Sequence, residues 1–315
     1  IEEMSFEGGR NGHVDRDMVY RLAEKENIHA GYIEQIVFWM SAGMQSMFLQ
    51  DGDSLVMKAD DIAEIIIYAR HTFPTVQRIT TYARSKTLAK KSLDDLKKIR
   101  AAGLDRLHIG MESGSDRVLQ IIKKGATAED HIKGGCKAME AGFEVSEFYM
   151  PGAGGTDHWE ESARETARVL NAINPTFIRI RTCTPLPATE LYRMYERGEW
   201  NPLGEEGKLG EIRLMIENLE GITGTVVSDH MMNLIEDIEG TLPGDRNRML
   251  GVIDSFLGMD ERDRMNYIVG RRIGRYRYLR DYRREKEVSD LADKLVMHFG
   301  TIDAAVMQIM GQGML

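Results

Sequence analysis

A chain of 315 residues has room for one large domain or for a barrel with an appendage. Its 42% hydrophobic and 29% charged residues are those of a globular protein, and a net charge of −9 gives no general reason for affinity to nucleic acid. Two cysteines, Cys136 and Cys183, with no CxxC pair, exclude a disulfide framework and any self-contained cysteine site for zinc or an iron–sulfur cluster. The longest mostly apolar run, residues 36–49, is broken by Ser, Gly and Gln and is too short for a bilayer. Ile1-Glu2-Glu3 does not open a secretory signal. The expectation is a cytoplasmic protein with no membrane partner. A first residue of Ile in place of Met suggests that something upstream is lost or not shown.

Residues 1–30 are polar and Gly-bearing, then helical from about Asp15, and carry no nameable chemistry. Ser46 to Gln50 reads as a strand ending in the acidic turn Asp51-Gly52-Asp53-Ser54. Ala59 to His71 has helical spacing and is stopped by Phe73-Pro74. Val76 to Tyr82 is a strand followed by Arg84. Ser92 caps a helix that Gly103 ends. Asp105 to Met111 is a buried strand with Glu112, Ser113 and Gly114 at its end, and helices follow at about 115–123 and 128–141. Phe143 to Met150 is a strand ending in Pro151-Gly152-Ala153-Gly154-Gly155; a helix follows at about 157–171. Phe177 to Thr182 and a helix over 188–197 complete five strand–helix units in a row.

That rhythm predicts an α/β fold with parallel strands and helical crossovers, a barrel or a doubly wound sheet. The loops after the strands carry Gly, hydroxyls, carboxylates or Arg, whereas the loops before them are short links. Such asymmetry marks one rim as the working face. Residues 1–200 read as one barrel-like domain and 201–315 as a helical extension. Within the extension, Asp229-His230 reads as a structural pair in preference to a metal or acid–base site. His108, inside the apolar strand, reads as a buried, satisfied histidine. Arg271 to Arg284, interleaved with Tyr276, Tyr278 and Tyr282, is the one basic stretch. It reads as a solvated helix face whose arginines pair with Asp281 and Glu285, so nucleic acid is not an expected partner.

Phe-Leu-Gln-Asp-Gly-Asp (48–53), Gly-Met-Glu-Ser-Gly-Ser-Asp-Arg-Val-Leu (110–119) with Lys124-Gly125 and Thr127, and Tyr-Met-Pro-Gly (149–152) occur in an order and spacing that resemble the radical S-adenosylmethionine (SAM) superfamily. The nearest branch is the one holding the methylthiotransferases, Elongator-type enzymes and coproporphyrinogen dehydrogenases. The resemblance implies a partial (β/α)6 barrel that holds SAM across its rim. It assigns Gly52 and Asp53 to the SAM amino group, Glu112 and Ser113 to the ribose and methionine end, and Met150-Pro151-Gly152 to the adenine. Arg84 is assigned to the SAM carboxylate. Arg181, which shares a strand face with Arg179, points toward SAM or an anionic substrate, or else pairs with acids such as Glu112 and Glu147. The implied reaction is reductive SAM cleavage, with the 5′-deoxyadenosyl radical acting on an unknown substrate; an electron-donor protein would serve the intact enzyme.

One departure stands out. The family holds a [4Fe–4S] cluster on a Cys-x3-Cys-x2-Cys loop after its first strand, and these residues contain no such loop. The expectation is therefore an incomplete barrel lacking the first strand and cluster loop, with no metal ligands and no assignable catalytic residue. Two origins stay open: an N-terminally truncated enzyme, inactive as given, or a non-catalytic SAM-binding or scaffold paralogue. A barrel enzyme without iron, using Glu112 with His108, is the third reading.

Overall fold

The structure, a computed structural model, describes residues 16–311. Helices α1 (Arg16–Lys25) and α2 (Ala30–Ser41) lead into β1 (Ser46–Leu49). Strand and helix then alternate through α3 (Ala59–Thr72), β2 (Arg78–Ala83), α4 (Ser85–Lys90), α5 (Leu93–Ala102) and β3 (Arg106–Glu112). They continue through α6 (Asp116–Ile121), α7 (Ala128–Glu140), β4 (Glu144–Tyr149), α8 (Gly155–Ile173) and β5 (Phe177–Ile180). Beyond lie α9 (Glu190–Glu196), α10 (Glu205–Glu217), β6 (Thr225–Val227) and β7 (Gly240–Thr241). The chain closes with α11 (Arg246–Leu257), α12 (Glu261–Arg272), α13 (Lys286–Phe299) and α14 (Ile302–Gly311).

The seven strands lie in chain order in one open sheet, β1 to β6 parallel and β7 antiparallel at the far edge. Parallel neighbours need crossovers, and the helices supply them. The result is the partial α/β barrel expected. The five anticipated strand–helix units are present, and the stretch beyond residue 201 adds two strands to its helices. Thr225-Val-Val is too short to display a period of two, but β5 offers it a free edge.

Alternation along the strands separates two faces. Leu107 and Ile109 on β3, Val145 on β4 and Ile79 on β2 are buried against the helices in one apolar cluster. Ile178, Ile180 and Val226 join a second cluster with α8, α10, α11 and α12, so the C-terminal helices share a core with the barrel. The opposite parity lines a cavity of about 590 Å³ against the concave face, closed on one side by Trp39 of α2. Trp39 is seated by its indole N–H, which donates to the Ser46 carbonyl. Among the described residues no helix is long and apolar enough to cross a membrane.

Candidate functional site at the strand rim

Because β1 to β6 run parallel, every loop after a strand emerges on the same edge of the sheet. The Gly52-Asp53, Glu112-Ser113 and Met150-Pro151-Gly152 turns therefore share one rim, as the sequence motifs require. Direct bonds tie the second turn to the third, and the first to the segment after β2. The Met150 N–H donates to the Glu112 carbonyl at 2.8 Å, and the Arg181 N–H to the Tyr149 carbonyl at 2.8 Å. The Arg84 N–H donates to Asp53 Oδ1 at 3.2 Å. Asp53 Oδ2 accepts from the Thr87 hydroxyl at 2.5 Å, so its carboxylate sits at the start of α4. The Arg84 guanidinium makes no ion pair among the described residues.

Glu112 ends β3 at a bulge in the β3–β4 register and holds φ at 66°, a left-handed conformation that costs a non-glycine residue about 1–2 kcal/mol. That strained turn sets where the carboxylate goes. A Cβ on Gly110 would lie 2.5 Å from Glu112 Oε1 and 2.8 Å from Lys124 Nζ, so the glycine leaves room for the pair to fold back over the strand. Lys124 Nζ donates to Oε1 at 2.9 Å; Oε2 makes no hydrogen bond among the described residues.

Ser113 is turned away from this face. It is fully buried against α8, its Oγ 3.0 Å from Ser162 Oγ and accepting from the Ser115 N–H. Gly114 beside it packs so closely on α8 that a Cβ would stand 2.2 Å from the Glu165 carbonyl oxygen. The next turn is anchored from the extension. Glu211 on α10 is buried and accepts from the Tyr149 hydroxyl (2.8 Å) and the Gly152 N–H (2.7 Å). Burial pushes its carboxyl up to about 7, with the Gly152, Tyr149 and Ser162 hydrogen bonds and Lys208 pulling the other way. Pro151 and Gly152 are buried, and Met150 packs beside Ala153 and Cys183.

Below the rim, Arg179 and Arg181 both face the cavity, and Asp229 holds them at 2.8 and 2.9 Å. Their partner is thus neither Glu112 nor Glu147. Glu147 lies on the helix side of β4, fully buried, with both carboxylate oxygens unpartnered, and burial raises its pKa well above the usual range. Asp229 and His230 are not a bonded pair, since His230 Nδ1 accepts from the Met232 N–H. His108 is also unlike the satisfied core residue expected. It lines the cavity, its Nδ1 is buried without a partner, and burial followed by four arginines lowers its pKa to about 4.

The basic stretch is engaged by acids, and more of them lie on other elements than expected. Arg271 and Arg277 pair with Glu236, Arg272 with Glu205, Arg280 with Asp237 and Arg284 with Asp263, while Arg275 alone pairs locally with Glu285. Tyr276 is buried and stacks on Tyr267.

An open parallel barrel that gathers carboxylates, arginines and glycine turns on the C-terminal rim of its strands has the arrangement on which α/β barrels build small-molecule sites. The sequence profile of the radical SAM superfamily matches residues 8–166 of the 315, and the chain belongs to that family. It is similar to the tRNA uridine(34) acetyltransferase of Methanocaldococcus jannaschii, with 32% identity over 105 residues, 33% of this chain and 19% of that protein. An uncharacterised protein of the same organism is 24% identical over 174 residues, 55% of this chain and 53% of its own length. The chain thus spans from about a fifth to about half of the curated relatives it matches. Among solved structures, M. infernus Elp3 with an N-terminal deletion aligns with a TM-score of 0.49 at 18% identity, over 68% of this chain and 55% of that one.

Family membership implies SAM and a [4Fe–4S] cluster. The cluster does not fit residues 1–315. Cys136 sits on α7 with its thiol toward the Ala172 carbonyl. Cys183 lies in a separate apolar cluster, its thiol pushed up to about 12 by burial. No group of three His, Cys, Asp or Glu suited to a metal occurs among the described residues. SAM is the better match, because the rim offers carboxylates for an ammonium and a free guanidinium for a carboxylate.

Proposed function

We propose that this chain is the SAM-holding barrel of a radical SAM enzyme whose cluster loop and first strand lie outside residues 1–315, so that as given it binds SAM without cleaving it. The observation that carries the reading is the Glu112 carbonyl bonded to the Met150 N–H, which joins two remote motif turns on the sheet edge that also carries Asp53 and Arg84. In this reading the free Glu112 oxygen and Asp53 meet the ribose and ammonium, Arg84 meets the SAM carboxylate, and the 150–152 turn flanks the adenine. Ser113 serves by fixing the Glu112 turn to α8, not by touching the ligand. Arg181 is positioned by Asp229 below the nucleoside.

The relatives that modify tRNA raise tRNA as a substrate. The surface described here favours a small molecule instead, because acids already pair six of the seven arginines between Arg271 and Arg284 and compete there with phosphate. A cytoplasmic location fits this chemistry.

Extending the coding sequence upstream tests the proposal. The expected result is a three-cysteine loop, and an extended chain that takes up iron and sulfide and yields 5′-deoxyadenosine from SAM under reductant. An in-frame start with no such loop would contradict it in favour of the non-catalytic paralogue.

A further inference from the structure

The cavity beneath the rim has a chemistry that SAM does not explain. None of Asp53, Arg84, Glu112 or Met150 lines it. Its walls carry four arginines, 78, 106, 179 and 181. Two carboxylates answer them: Glu144 pairs with Arg106 at 2.8 Å, and Asp229 is shared by Arg179 and Arg181. Arg78 has no acidic partner among the described residues, so the pocket holds an excess of positive charge. SAM, itself a cationic sulfonium, is a poor occupant for it.

The same cavity is walled with rings. His108 lies between Phe48 and Phe148, with centroids at 5.8 and 5.3 Å and planes within 16° and 19°, and Tyr82 leans against all three. These rings come from four successive strands. His108 keeps an unpartnered nitrogen there, and at neutral pH it is uncharged. A cavity of about 590 Å³ is the size of a small-molecule site.

We infer that the lower cavity is a second ligand site, for an organic anion that joins a phosphate or carboxylate to a flat ring, with Arg78 as its free cationic contact. The geometry rests on the concave face of the barrel, and the proposal extends the reading of the rim, with which it shares Arg181 alone. An arginine with no partner at a cavity wall is poised to pair with an anion, and aromatic walls accept a flat apolar body.

Calorimetric titration of naphthyl phosphate into the chain tests this, with naphthoate, inorganic phosphate and naphthol as separate arms. The expected result is binding of naphthyl phosphate or naphthoate at least tenfold tighter than of phosphate or naphthol. Whichever of the two aromatic anions binds tighter identifies the acid group. Arg78→Gln should weaken it at least fivefold and Arg78→Glu further, with the melting temperature unchanged because the Arg78 side chain bonds no other group among the described residues. SAM should bind equally well with the aromatic anion present. No binding of either aromatic anion, equal affinity for inorganic phosphate, indifference to Arg78→Glu, or displacement by SAM would overturn the inference. If SAM fails to bind while the aromatic anion binds, the rim reading fails and this one stands.

Discussion

Replacing Glu211 with Gln should change how the stability of the chain depends on pH. The carboxyl is buried beneath the 150–152 turn, and its pKa rises from 4.5 to about 7 on folding, chiefly through burial. A raised folded pKa means that the folded chain holds its proton where the unfolded chain has released it. The stabilising contribution is therefore complete below about 4.5 and is lost as the pH climbs through about 7. Between about pH 5 and about pH 8 that linkage amounts to about 2–3 kcal/mol. A glutamine side chain has no proton to release, so the gap in unfolding free energy between wild type and Glu211→Gln should shift by that amount across the same window. Urea titrations followed by circular dichroism at both pH values measure it, and other titrating groups cancel in the difference. A gap that stays constant with pH would refute the assignment of a buried, protonatable Glu211 to the rim anchor.

Gly114→Ala should lower stability by about 2–3 kcal/mol, since its Cβ must displace the α8 backbone at Glu165; thermal melting reads this, and an unchanged melting temperature would mean that the close approach is not real. Arg272→Met should cost about 3–5 kcal/mol, because it leaves buried Glu205 with Lys208 as its remaining cation. Burial opposes ionisation of Glu205, and Arg272 and Lys208 nevertheless hold its pKa near 2. That depressed value places the stabilisation above about pH 4.5, and acid should erase the difference between Arg272→Met and wild type as the pH falls through the folded value.

Much of the barrel was legible because its cause is local. Strand and helix periods, glycine stops and the Ser92 cap all lie within short windows of sequence, and Ser92 accepts from the Asp95 N–H as a cap should. The shared rim was legible once parallel order was assumed, since parallel strands leave no choice about which ends meet. His108 was misread although its cue was present: Arg106, His108, Gly110 and Glu112 alternate with Leu107, Ile109 and Met111, and the first two of that polar face line the cavity. Ser113 shows the limit of a motif. It stands beside Glu112 in sequence, yet a period of two sends it into α8. Glu211, Lys124 and Asp229 come from elements outside the strands they serve, and their roles depend on packing that no window of sequence displays.

Calorimetric titration of SAM into residues 1–315 tests the central claim most directly. The account predicts measurable binding that Asp53→Asn and Glu112→Gln each weaken at least tenfold, with the folded far-ultraviolet spectrum preserved. Absence of heat at millimolar SAM, or affinity indifferent to both substitutions, would contradict it.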